Sequence, residues 1–150
     1  MKWRALGLMV AIVSMLFGCS TVYDLPGDSS ENAALISGDR ANFLTFSVIG
    51  DAHVFILEVD GIPVGKTGAC RVSPGKHQIK VGANNNYKTA SKVVDLTLGP
   101  NRKYKFKVKR KEMLFTFDLF DVSAKKEVKV ETFSATATSL SRPVTVPIII

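Results

Sequence analysis

Few side chains in this sequence could do chemistry, and most of them stand alone. There are two cysteines, Cys19 and Cys70, and two histidines, His53 and His77. An enzyme needs nucleophiles, bases or ligands that converge on one place. Asp51-x-His53 offers two metal ligands without a third, short of the three or four protein ligands that zinc takes. His77 alternates in step with Ile79 and Val81, so its simplest role is a half-buried structural histidine. Cys70 falls on the same face as Val72 and reads as a buried, inert thiol. Arg71, the nearest cation, points the other way. No glycine-rich phosphate loop, Cys-x-x-Cys or His-Glu-x-x-His occurs. The sequence therefore predicts no catalytic set, no metal site and no cofactor.

Cys19 is different because of what precedes it. Lys2 and Arg4 give a positive start, residues 6–17 are almost wholly apolar and uncharged, and Leu16-Phe17-Gly18-Cys19-Ser20 closes the segment. A dozen apolar residues are short for a bilayer span and suit an export signal. The closing residues resemble the lipobox of bacterial lipoproteins, with Phe17 where that pattern usually has a small or aliphatic residue. The resemblance implies cleavage between Gly18 and Cys19 and acyl chains on the sulfur and amine of Cys19. It also implies an outer-membrane address, because Ser20 rather than Asp follows the cysteine. At about 0.8 kcal/mol per buried CH₂, two or three such chains hold a soluble domain stably on a bilayer.

About 130 residues remain after residues 1–18 are removed, enough for one domain. Loss of Lys2 and Arg4 lowers the formal charge from +7 to +5, basic but not extreme. With Cys19 acylated, Cys70 has no intramolecular partner, so stability must come from the core. Residues 19–33, rich in Ser, Asp, Gly and Asn, read as a flexible tether.

From Ala34 onward short runs of Val, Ile, Phe and Thr are broken by turn residues at even intervals. This predicts an all-β fold, a small antiparallel β-sandwich spanning 34–134. Strands are expected over 42–49, 53–59, 70–73, 77–82, 92–98, 103–110, 113–120 and 127–133. Val54-Phe55-Ile56-Leu57 is apolar on both faces and suits a central strand. Asp60-Gly61 is a tight-turn signal, and Ser73-Pro74-Gly75-Lys76 suits a type II turn with positive φ at Gly75. Arg110-Lys111-Glu112 reads as a hairpin turn. Residues 135–150 form a tail whose apolar end, Val144-Thr145-Val146-Pro147-Ile148-Ile149-Ile150, offers an extra edge strand or a docking segment.

The stretch Val59-Asp60-Gly61-Ile62-Pro63-Val64-Gly65, followed by Val72-Ser73-Pro74-Gly75-Lys76-His77-Gln78-Ile79-Lys80-Val81, resembles a PEGA-like module. That resemblance implies a small β-sandwich in the bacterial envelope and brings no catalytic residues with it.

One surface feature has a binding mechanism attached. Lys103, Lys105, Lys107 and Lys109 alternate with Tyr104, Phe106 and Val108, which puts the lysines on one face of a strand. A basic stripe of this kind suits anionic lipid, lipopolysaccharide, a wall polymer or an acidic protein. The plainer role is a solvated face that keeps an edge strand from pairing with another chain. On the first reading, replacing Lys105, Lys107 and Lys109 by Gln removes binding and leaves thermal stability nearly unchanged. Nucleic acid is not expected, since the chain reads as exported and no aromatic row shares the lysine face. The sequence thus points to a lipid-anchored envelope protein, a non-catalytic structural or binding module. Its alternatives are an accessory subunit of a secretion, efflux or polymer-export complex and, less favoured, a wall- or lipid-acting enzyme.

Overall fold

The computed structural model describes residues 22–25, 31–40, 52–85 and 88–139. The expected strand over 42–49, the signal with Cys19, and the end of the tail lie outside them. Eleven strands are present and no helix occurs among the described residues. They are β1 (Val22–Asp24), β2 (Ala34–Gly38), β3 (His53–Val59), β4 (Ile62–Thr67), β5 (Ala69–Val72), β6 (Gly75–Asn84), β7 (Lys88–Leu98), β8 (Lys103–Lys111), β9 (Leu114–Asp121), β10 (Val128–Thr136) and β11 (Thr138–Ser139).

They form two sheets packed as a sandwich. One has six strands in the order β1-β5-β2-β8-β9-β10, the other five in the order β11-β7-β6-β3-β4. The all-β sandwich expected from strand rhythm is what forms, but it is not purely antiparallel. β1 runs parallel to β5, and β2 runs parallel to β8. The strand described next after β2 is β3, in the other sheet, so β2 takes its partners from elsewhere in the chain. It therefore pairs with β8, a strand remote in sequence, through Leu35↔Lys103 to Gly38↔Phe106.

Period-two alternation builds the core. The five-stranded sheet contributes mostly aliphatic side chains: Val54, Ile56, Val59, Ile79, Val81, Val94, Leu96 and Leu98 are all buried. The six-stranded sheet contributes the aromatic bulk, with Phe106, Phe115 and Phe117 fully buried beside Ile36, Val72 and Leu119. Each such side chain contributes about 1.5–3 kcal/mol on burial. Cys70 is buried, as its place on the same face as Val72 led one to expect.

Two ends of the sandwich can be distinguished. The lower end holds the Asp60-Gly61 hairpin, the Ser73-Pro74-Gly75 bend and the Gly99-Pro100-Asn101 turn. The upper end holds the β8–β9 hairpin turn at Glu112-Met113. Asp60 and Gly61 have φ of 50° and 77°, the pair of positive values a type I′ hairpin requires. Gly75 has φ of 138°, open to glycine and strained for other residues, but Pro74 is a bend and not a hydrogen-bonded type II turn.

The tether reading does not describe residues 22–25. Val22–Asp24 pair with Ala69–Arg71, and Leu25 is buried in the core. Asn32 is also held, accepting hydrogen bonds from the backbone and side-chain nitrogens of Asn101 at 3.0 and 3.1 Å. Polar composition concealed this, because a three-residue edge strand needs little apolar sequence of its own.

Candidate functional site

The lysine row lies where alternation put it. Tyr104 and Phe106 point into the core, and Lys103, Lys105, Lys107 and Lys109 line the outer face of the six-stranded sheet. β8, however, is an interior strand between β2 and β9, so its lysines guard no edge. Nor is the row an open stripe. Lys105 pairs with Asp39 at 2.7 Å, and Lys107 with Glu127 at 2.5 Å. Lys109 lies 3.9 Å from Asp118. The Lys107 ammonium also sits 4.8 Å from the centre of the Phe120 ring, a cation–π contact on the same face. The Glu127 hydrogen bond raises the Lys107 pKa. Lys103 alone has no carboxylate partner among the described residues.

Asp118 organises this face. It is one of two buried polar residues of the described chain, with Asn85. It accepts hydrogen bonds from Thr132 Oγ1 at 2.7 Å and from Lys129 Nζ at 2.6 Å. Burial alone would push its carboxyl up. The Lys129 and Thr132 hydrogen bonds, with the charges of Lys129 and Lys109, outweigh that and hold it below the usual carboxylate range. The row is therefore half of an ion-pair lattice, and its lysines stabilise as well as charge the surface. Replacing Lys105, Lys107 and Lys109 by Gln is accordingly expected to lower the melting temperature by about 2–5 °C at low salt, and by less at high salt. Thermal scans of parent and variant at two ionic strengths check this. An unchanged melting temperature at low salt would restore the simpler stripe.

A second cluster joins the two sequence turns at the lower end. The Asp60 carboxylate accepts from His77 Nδ1 at 2.7 Å and from the Gln78 backbone N–H at 2.8 Å. The Asp60 backbone N–H donates to Gln78 O at 2.8 Å. His77 Nε2 lies 3.5 Å from Ser73 Oγ. The order carboxylate, imidazole, hydroxyl is that of a hydrolase relay. At 3.5 Å the last link is at the outer limit of a hydrogen bond. A shallow cavity of about 140 Å³ opens elsewhere, in the upper half of the five-stranded sheet, lined by Phe55, Leu57, Gly82 and Thr89 among others. What the cluster does on this geometry is clasp the β3–β4 hairpin to β6. The histidine was expected half-buried; its side chain is 10% exposed, and its acidic partner was not foreseen. The register that opposes Val59 to Ile79 brings Asp60 beside His77 and was the available signal.

The clasp gives a pH prediction. Burial would raise the Asp60 pKa, but its hydrogen bonds to His77 and Gln78 outweigh this and lower it. A carboxylate depressed in the folded state adds stability that is present above its unfolded pKa of about 3.9 and is lost as pH falls through the folded value. Asp60→Ala should cost about 1–2 kcal/mol near neutral pH, and less below pH ~3. Urea melts across pH 3–7 measure it, and an equal cost at every pH would contradict the assignment.

The remaining candidates do not assemble. His53 lies beside Phe55, ring centres 6.1 Å apart, and burial with the nearby Arg40 charge lowers its pKa. Asp51 lies outside the described residues. Among the described residues no group of three His, Cys, Asp or Glu side chains could hold a metal ion. Comparison with known families, characterised proteins and solved structures finds no match to this chain, so the functional reading rests on its own residues.

Proposed function

We propose that this chain is a lipid-anchored protein of the bacterial envelope, held in the outer membrane by acyl chains on Cys19. It acts there as a non-catalytic structural or binding module. The observation that carries the reading is where the first described strand lies. Val22, three residues after Cys19, is already in a strand, and Leu25 is already in the core. A mature protein starting at Cys19 would thus keep every described strand. The Asp60–His77 contact joins the two turns on which the PEGA-like resemblance rests.

A second reading has its own observation. β10 ends the six-stranded sheet, and Val128 and Val130 on it are 59% and 51% exposed. An apolar sheet edge suits a partner that adds a strand, as an accessory subunit of an envelope export complex would do. Separation of inner and outer membranes tests the address. The protein is expected in the outer-membrane fraction, released by detergent and not by alkaline carbonate. Release by carbonate would contradict the acyl anchor.

A further inference from the structure

We infer that the upper end of the sandwich, built around the tip of the β8–β9 hairpin, rests on an anionic lipid surface. Lys109, Arg110 and Lys111 supply charge there, and Met113 and Leu114 supply apolar contact. The inference deepens the lipid-anchor reading and rests on it for orientation, though not for charge.

The first support is the length of chain between anchor and fold. β1 is parallel to β5, which descends from the upper end, so Val22 is the uppermost residue of β1. Three residues reach at most about 11 Å. Val22, Ala69, Ser37 and Lys105 lie in one row across the six-stranded sheet. From that row β8 continues through Lys111, six residues or about 20 Å further up at about 3.3 Å per residue. The hairpin tip therefore extends at least as far toward the lipid as Cys19 can.

The second support is composition. Arg40, Lys88, Lys109, Arg110 and Lys111 gather at the upper end against Asp39 and Glu112, and Asp39 is already taken by Lys105. Lys109 is 82% exposed, and the carboxylate nearest it, Asp118, is engaged more closely by Lys129. Met113 and Leu114 are 40% and 45% exposed at the tip itself. At the lower end the cations are interleaved with Glu31, Asp60, Asp95 and Asp121. Cations flanking exposed apolar side chains are what an anionic interface takes up. This places the contact at the end of the sheet, beyond the closely ion-paired Lys105 and Lys107.

Two measurements test it. The whole mature chain carrying Cys19→Ser, which has no acyl chains, is expected to bind phosphatidylglycerol-containing vesicles and not pure phosphatidylcholine vesicles. Lys109→Gln/Arg110→Gln/Lys111→Gln should weaken that binding by about a hundredfold, whereas Lys103→Gln/Lys105→Gln should leave most of it. In the acylated protein on the same vesicles, an environment-sensitive dye at Met113→Cys should shift to the blue, and one at Lys125→Cys, at the lower end, should not. Equal binding by the triple variant, no preference for the anionic vesicle, or an unshifted dye at position 113 overturns the proposal. Failure of acylation would be seen separately, as lack of fatty acid on Cys19, and would leave the vesicle measurement standing.

Discussion

Gly38→Ala should unfold much of the protein. A Cβ at Gly38 would fall 2.2 Å from the backbone oxygen of Val54 and 2.7 Å from its carbonyl carbon. Both are backbone atoms of β3, which is paired on either side by β6 and β4 and cannot yield as a flexible side chain would. Gly38 ends β2 and lies against Val54 of β3, in the other sheet. Its N–H donates to Gly68 O at 2.9 Å, and the next residue donates to Phe106 O at 2.8 Å and accepts from Val54 N–H at 3.0 Å. One methyl there must part the two sheets or break these bonds. Overpacking typically costs about 1–3 kcal/mol. Here the clash is with main chain, so the upper part of that range or beyond is expected, against a total stability of about 5–15 kcal/mol. Urea unfolding of parent and variant measures it. A loss below about 0.5 kcal/mol would show that β2 and β3 are not this close.

The second large effect concerns the anchor. Cys19→Ala should abolish acylation, leave the signal uncleaved at Gly18, and remove the protein from detergent-dependent membrane attachment. The thiol is the acyl acceptor on this reading and no neighbouring residue substitutes for it, since the chain's other cysteine, Cys70, is buried in the core. The folded domain should be unaffected, because Cys19 precedes β1. Labelling with an alkyne fatty acid followed by gel fluorescence is the check, and label retained on the variant would sink the lipid-anchor reading.

The elements legible in the sequence are those whose local pattern and tertiary role agree. β3, β8 and β9 were visible because alternation or a fully apolar run meets a two-layer core. The Asp60-Gly61 hairpin was visible because positive φ at both residues selects few sequences. Three elements were missed for identifiable reasons. β1 is only three residues long and pairs with β5 through its main chain. β2 has its Ala34 and Ile36 signal, but it is brief and its partner β8 is remote in sequence. β4 contains Pro63 and Gly65, which read as turn; it is an edge strand, where proline is tolerated.

The candidate site was legible in position and not in environment. Alternation put the four lysines on one face, but it could not show that Asp39, Asp118 and Glu127 come to that face from other segments. Those carboxylates turn a binding stripe into a stabilising lattice. The same holds for His77, whose partner Asp60 is 17 residues away in sequence and adjacent only through strand register.

The central claim is that the mature chain begins at an acylated Cys19. Mass spectrometry of the N-terminal tryptic peptide tests it most directly. A peptide of residues 19–40, cut after Arg40, carrying two or three acyl chains and no residue before Cys19, is expected. A peptide that includes Gly18, or one starting at Cys19 without acyl mass, would contradict it.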